Sequence, residues 1–248
     1  MEVNYTDISK TYDDYRSYPE SLIKKIIALG MISQGKKVLD LGCGTGNIAS
    51  QLRKTIEADI IGVDASFAML KVAKGKSLEV ICADIDNQRL PFRDGSFDTV
   101  MLVYVIHQIK NLTFLLSECY RVLRNGVLFL LTSSHKQIEN QHPVIKDFFP
   151  SCIDIDKGRF PDIHQIDDLL DSLGLKDIKH EEMIVENIPI DYEYLQKVKN
   201  KYVSTYYLIP QSEFENGVKQ LDAFIMNMKQ PEFRDWHGTI IRGLKTVN

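Results

Sequence analysis

Asp40-Leu41-Gly42-Cys43-Gly44-Thr45-Gly46 sets one carboxylate beside three glycines at alternate positions, between an apolar run and a stretch suited to a helix. Glycines in that setting reach backbone conformations closed to other residues and let the main chain come close to a ligand. The spacing is G-x-G-x-G, whereas the dinucleotide fingerprint is G-x-G-x-x-G, and an aspartate two residues before the first glycine has no part in cradling pyrophosphate. A cationic ligand without phosphate suits this acidic loop better than a nicotinamide dinucleotide, and no substrate histidine-arginine set accompanies it. Asp64 ends a second apolar run about 20 residues on, where an acid can accept hydrogen bonds from ribose hydroxyls or cap a helix starting near Ser66. His107 and His135 each follow an apolar run and are the candidates for a general base, although a lone histidine is also commonly structural.

The elements that must position these residues follow from periodicity. Val38 to Leu41 and Ile60 to Asp64 are β-prone runs with a helical stretch, Asn47 to Lys54, between them, which makes a βαβ unit. Leu78 to Cys82 and Phe97 to Val103 give third and fourth strands, with a helix over Ala65 to Gly75. A helix from Phe114 to Leu123, ending near Asn125-Gly126, feeds Val127 to Leu131, an apolar strand typical of a sheet centre covered on both faces. Beyond residue 134 the chain turns polar and proline-punctuated from His135 to Pro161, then offers a helix, Ile163 to Leu173, and a sixth strand near Asp177 to Val185. Two amphipathic helices are expected between Asp191 and Lys229, before a last strand at Gly238 to Gly243. Strands alternating with helices predict an α/β, doubly wound, mostly parallel seven-stranded sheet whose ligands sit beyond the strand carboxyl ends. The chain is read as a single domain: an N-terminal helical segment over 1–34, a core over 35–135, and a helical cap insertion over 187–236.

Composition narrows the partners. Thirty Lys and Arg against 34 Asp and Glu leave a net charge of −4, without the basic excess that phosphate neutralisation needs, so nucleic acid is not the default partner. No apolar run approaches the roughly 18 residues of a membrane span. The polar, acidic start from Met1 to Asp7 does not read as a signal peptide, and a cytoplasmic location is expected. Cys43, Cys82, Cys119 and Cys152 lie far apart without a C-x-x-C pair, so free thiols are expected and a metal site is not.

Four segments, Val38 to Asn47, Asp64 to Ala73, Ala83 to Phe92 and Phe97 to Ile109, resemble in order the motifs of class I S-adenosylmethionine-dependent methyltransferases. The resemblance covers roughly residues 35 to 135. Leu90-Pro91-Phe92, Phe97-Asp98 and His107 are similar to the subgroup related to ubiquinone and menaquinone biosynthesis methyltransferases, where many members read histidine-histidine and this chain reads His107-Gln108. The resemblance implies a Rossmann-like methyltransferase fold with S-adenosylmethionine as cofactor and S-adenosylhomocysteine as product. It implies that Asp40 meets the methionine amino group, that Gly42, Cys43 and Gly44 underlie the amino-acid end, and that Asp64 holds the ribose. Ala65 and Met69 would flank the adenine, Asp84 would accept from its amine, the Ile85 amide would meet a ring nitrogen, and Leu102 or Val103 would line the methionine portion. Tyr12 to Tyr18 resembles a segment that folds over the cofactor, with Tyr12 and Arg16 on one helical face; packing of an amphipathic helix on the sheet is the alternative.

Methyl transfer to an O, N, S or C nucleophile of a small molecule is the activity implied, with His107 as the base candidate. Tyr202, Tyr206 and Tyr207 are candidates for a substrate wall. RNA or protein methylation, and a non-catalytic cofactor-binding module, are the other readings.

Overall fold

A computed structural model describes residues 3, 5–16 and 18–246. Met1, Glu2 and Asn4 of the N-terminal stretch, and Ser17 of the Tyr12 to Tyr18 motif, lie outside the described residues. In chain order the elements are α1 (Tyr5–Ile8), α2 (Tyr12–Tyr15), α3 (Glu20–Leu29), β1 (Lys37–Leu41), α4 (Asn47–Thr55), β2 (Asp59–Asp64), α5 (Phe67–Gly75), β3 (Glu79–Cys82), β4 (Phe97–Val103), α6 (Leu112–Val122) and β5 (Leu123–Thr132). There follow α7 (His135–Glu139), α8 (Pro143–Phe148), α9 (Ser151–Arg159), α10 (Ile163–Ser172), β6 (Lys176–Pro189), α11 (Tyr192–Lys199), α12 (Gln211–Asn227) and β7 (Phe233–Lys245).

The strands form one seven-stranded sheet in the order β3-β2-β1-β4-β5-β7-β6, parallel except for β7, which runs antiparallel to both its neighbours. Strands β1, β4 and β5 read as nearly continuous apolar runs because both faces are covered. Leu39, Leu102, Leu128 and Leu130 pack with α6 and α10 on one face, while Val38, Met101, Phe129 and Leu131 pack with α3 and α4 on the other. The winding reverses between β1 and β4, the place where an open parallel sheet leaves a crevice at its carboxyl edge.

Three expectations are corrected. First, β5 begins at Leu123, so Asn125-Gly126 lies inside the strand instead of closing the preceding helix. The pairing passes from Phe97↔Leu123 to Thr99↔Val127, an irregularity that brings the Asp98 carbonyl against Gly126 where a side chain would stand. Second, β6 and β7 are much longer than expected, since they pair with each other beyond the end of β5 at Thr132↔Thr239 and continue to Pro189↔Phe233. Third, the polar stretch from 135 to 161 is helical. Ser134 and Gln137 form a capping box for α7, and the His142 side chain caps α8 with Pro143 in its first turn.

Helices α8, α9, α11 and α12 share an apolar core of their own that includes Phe149, Tyr194, Leu195, Tyr206, Phe214 and Leu221. Gly217 of α12 lies so close to Phe148 and Phe149 that any side chain there would collide. No helix among the described residues is long and apolar enough to cross a membrane.

The Leu90-Pro91-Phe92 turn is fixed from α6. Arg121 donates to both oxygens of Glu118 at 2.7 and 2.6 Å and to the carbonyls of Leu90 and Phe92, while Glu118 accepts from the Leu90 amide at 2.8 Å. Both side chains are largely buried, at 15% and 9% exposure, and Arg121 also pairs with Asp94 at 2.8 Å, so removing Glu118 takes one of its two carboxylates and leaves the Leu90 amide without its acceptor. Glu118→Ala should cost about 2 kcal/mol in urea denaturation. An unchanged midpoint would mean that the turn is held by its apolar side chains alone.

Candidate functional site

The loop after β1 is shaped by close packing. Gly42, Gly44 and Gly46 have φ of +71, +55 and +71°, the left-handed region that disfavours side chains. A Cβ on Gly42 would collide with Val105, and one on Gly46 with Leu78, whereas Gly44 faces open space. The first and third glycines thus serve packing, and the second leaves main chain accessible to a ligand. The Cys43 side chain fits only because β2 carries Gly62 opposite it.

Two acids border this loop. Asp64 accepts from the Gly44 amide through one oxygen and from the Ser66 amide through the other, each at 2.8 Å. Burial pushes its carboxyl up and those two amides oppose the shift. Ser66, not Asp64, is the cap of α5, its hydroxyl accepting from the Met69 amide. Asp40 is only 4% exposed, and among the described residues no group hydrogen-bonds or pairs with its carboxyl. Burial first and the Asp64 charge second push it up to about 7.

The other expected cofactor residues are distributed less evenly. Asp84 already accepts from the Asp86 amide at 2.9 Å and the Asn87 amide group at 3.3 Å. Ile85 and Met69 are buried and Ala65 is exposed. Leu102 and Val103 belong to opposite faces of the sheet, and Leu102 is wholly covered. The residue after them, Tyr104, was not singled out by sequence. It takes φ +52° at the end of β4, a strained conformation for an aromatic residue, and its ring lies 5.5 Å from Trp236 of β7.

The N-terminal segment lies over the loop. Thr45 donates to Asp13 at 2.6 Å and Asn47 donates to the Arg16 carbonyl at 2.6 Å. Tyr5 donates to Gln108 at 2.8 Å, and Arg16 Nε donates to the Tyr202 carbonyl at 2.8 Å, reaching the helical layer. The Arg16 guanidinium also rests 5.2 Å from the Tyr12 ring centre.

Between this segment, the end of β4 and the helical layer is a cavity of about 940 Å³, lined among others by Tyr12, Arg16, Tyr104, His107, Tyr202 and Arg234. Asp40, the loop glycines and Asp64 are not among its lining residues. His107 stacks on Phe160 at 4.3 Å, nearly parallel. Burial, then the Arg159 and Arg16 charges, push its imidazole down to about 3, and its Nδ1 is sealed without a partner. The ring is therefore neutral at physiological pH. His135 does not line the cavity; its Nε2 lies 2.8 Å from the Phe160 carbonyl and so positions the ring that covers His107. Of the expected tyrosine wall, Tyr202 and Tyr206 line the cavity and Tyr207 does not. Arg234 and Phe160 were missed, the first as an isolated basic residue and the second inside a stretch without visible periodicity.

With this geometry in place, the comparisons with known proteins are specific. Residues 39–131 match the family described as methyltransferase domain. An uncharacterized protein of Methanocaldococcus jannaschii is 28% identical over 218 residues, covering 79% of this chain and 84% of that one. A demethylmenaquinone methyltransferase of Thermotoga maritima is 38% identical over 112 residues, 44% of this chain and 48% of its own length, so the chain spans about half of that relative. Among solved structures, a phosphoethanolamine N-methyltransferase of Haemonchus contortus in complex with S-adenosyl-L-methionine superposes with a TM-score of 0.64 at 17% identity, covering 99% of this chain and 61% of that one.

The unpartnered carboxyl has a measurable cost. A group whose folded value is raised above its unfolded one near 4 destabilises the fold as pH rises, and the cost is complete above about pH 7. Asp40→Asn should therefore melt several degrees above the wild type at pH 8 and close to it at pH 4. Equal melting at pH 8 would show that the carboxylate has found a partner within the chain.

Proposed function

We propose that the chain is an S-adenosylmethionine-dependent methyltransferase that transfers the methyl group of that cofactor to an O, N, S or C nucleophile of a small-molecule acceptor, a reading supported by the methyltransferase-domain match over residues 39–131. The observation that carries the cofactor half is Asp40, a buried carboxyl without a partner at the point where the sheet winding reverses, next to open space at Gly44. A ligand bringing an ammonium group there meets the one charge that the fold leaves uncompensated in the loop. The acceptor half rests on the cavity, whose volume of about 940 Å³ is within the range of small-molecule sites. Walls on three sides, from the N-terminal segment, β4 and the helical layer, favour a small acceptor over RNA or a folded protein.

The residue assignments proposed here are those that the motif resemblance implies. Asp40 receives the amino group, while Gly42, Cys43 and Gly44 form the floor beneath the amino-acid portion. Asp64 keeps lone pairs free on both oxygens after accepting from Gly44 and Ser66, enough for a ribose diol. Ala65, Met69 and the Ile85 amide are assigned to the adenine, with Asp84 contributing only the lone pairs that Asp86 and Asn87 leave. Tyr12 and Arg16 are assigned to the cofactor carboxylate, and the β4 terminus at Leu102 and Val103 to the methionine side. The helices between β6 and β7 serve as the cap over the acceptor.

When bound, the cofactor supplies a methyl group already activated on a sulfonium, so the protein has to align an acceptor and exclude water. His107 suits a positioning part better than strong base catalysis. An imidazole held near 3 takes up a proton poorly, but it offers a fixed neutral hydrogen-bonding group at the cavity wall.

Isothermal titration with S-adenosylmethionine and S-adenosylhomocysteine tests the reading. Asp64→Ala should weaken binding by about 1 to 3 kcal/mol, and no heat with either compound would sink it. Turnover of the bound cofactor with an acceptor separates an enzyme from a binding module. The affinity for S-adenosylhomocysteine should also strengthen as pH rises toward 7 and then level off, because a protonated Asp40 must lose its proton to meet the ammonium. Asp40→Asn should flatten that profile, and a persistent slope would assign it to another group.

A further inference from the structure

We propose that Arg234 forms an anion-binding subsite in the cavity, so that the acceptor carries a carboxylate or phosphate on an aromatic or other flat apolar body. This rests on the methyltransferase reading for the word acceptor, but the subsite itself rests on β7 and the helical layer. Arg234 lies on the part of β7 that runs past the end of β5, opposite Ile188 of β6, and it lines the cavity. Among the described residues it makes no ion pair. Its Nη2 is 3.5 Å from the Tyr202 hydroxyl, its guanidinium rests 5.2 Å from the Tyr194 ring centre, and its Nε is sealed with no acceptor. A cation that is partly desolvated without a counter-charge is costly to a fold unless a ligand supplies the charge.

The carboxylates around the same cavity are already engaged. Asp156 accepts from Thr205 at 2.7 Å and faces Arg159, Asp191 accepts from the Tyr194 amide, Asp235 accepts from the Asn187 amide, and Glu193 pairs with Lys197. Burial, then the Arg234 charge, push the His142 imidazole on the cavity wall down. The charged residues lining the cavity are five cations, Arg16, Lys146, Lys197, Lys201 and Arg234, against four carboxylates, Asp156, Asp191, Glu193 and Asp235, so the wall is positive on balance. The tyrosines argue in the same direction. Aromatic rings around a site usually attract a cationic ligand, but the face of Tyr194 is already covered by Arg234, which would repel an amine. The planar guanidinium, held by a ring face and one hydroxyl, presents its remaining donors as the fork that a carboxylate or phosphate accepts. Tyr104 and Trp236 supply the flat apolar surface beside it.

The test uses the full chain saturated with S-adenosylhomocysteine and titrates matched probes: benzoate against benzamide, phenyl phosphate against benzyl alcohol, and phenethylamine as the cation. The wild type should bind one or both anions at least about tenfold tighter than their neutral partners. The carboxylate and phosphate arms identify which anion the subsite takes. Arg234→Met should erase the preference and leave S-adenosylhomocysteine affinity unchanged; Arg234→Gln, neutral with similar reach, serves if the first variant fails to fold. Equal binding of neutral probes, tighter binding of phenethylamine, absence of anion binding up to about 10 mM, or a preference that survives both substitutions would each overturn the subsite. Loss of S-adenosylhomocysteine binding in the wild type would overturn the cofactor reading instead, and the probe preference would still be readable.

Discussion

The reversal of winding between β1 and β4 is the constraint from which the site follows. Helices leaving adjacent parallel strands on opposite sides cannot close over the carboxyl edge, so the chain after β1 must turn sharply there, and only the N-terminal segment reaches across to it. Val105 and Leu78 crowd two of the three turn positions so tightly that only glycine fits. The middle position, Gly44, opens outward, and its amide together with that of Ser66 fixes Asp64 at the rim. Asp40 is drawn into the same crevice by the strand it ends, and its burial without a partner lowers stability. A fold that keeps such a group is arranged for a ligand as much as for itself.

Legibility in the sequence followed the range of the interactions. Strands β1, β4 and β5 could be read because burial on both faces writes a continuous apolar run, and the glycine loop because its backbone demands are local. The ordered motifs added the cofactor. The β6–β7 ribbon was legible only in part, since β6 is an edge strand with Glu181, Glu182 and Glu186 in it and few buried positions. Its partner residues are joined across a helical layer, as Ile188 is to Arg234. The helices from 135 to 159 escaped notice for another reason: they are short, side-chain caps define α7 and α8, and α9, which has no side-chain cap, buries only Cys152 and Asp156 and so shows no apolar periodicity. Arg234 carries no sequence signal at all, because what marks it is the lack of an ion pair among the described residues, and that is visible only in three dimensions.

The electrostatics divide the site into two halves of opposite sign. Asp40 and Asp64 border the glycine loop, while Arg16 and Arg234 line the cavity. Among the described residues neither set is neutralised by the other: Asp40 has no ion-pair partner and Arg234 makes no ion pair. The N-terminal segment is bonded to both sides, through Asp13 and the Arg16 carbonyl on the loop side and the Arg16 guanidinium on the helical side.

The two halves also differ in how they are built. The half proposed for the cofactor is part of the sheet, so its residues are constrained by the two main cores. The half proposed for the acceptor is carried on helices with a separate apolar core, joined to the sheet by the extended ribbon of β6 and β7. Changes in that helical core can reshape the cavity wall without disturbing the glycine loop. The connecting element is the weakest in isolation, because α1 and α2 are four residues each, well short of what forms a stable helix alone. Their order depends on hydrogen bonds to Thr45, Asn47, Gln108 and Tyr202, which makes the segment sensitive to whatever occupies either half.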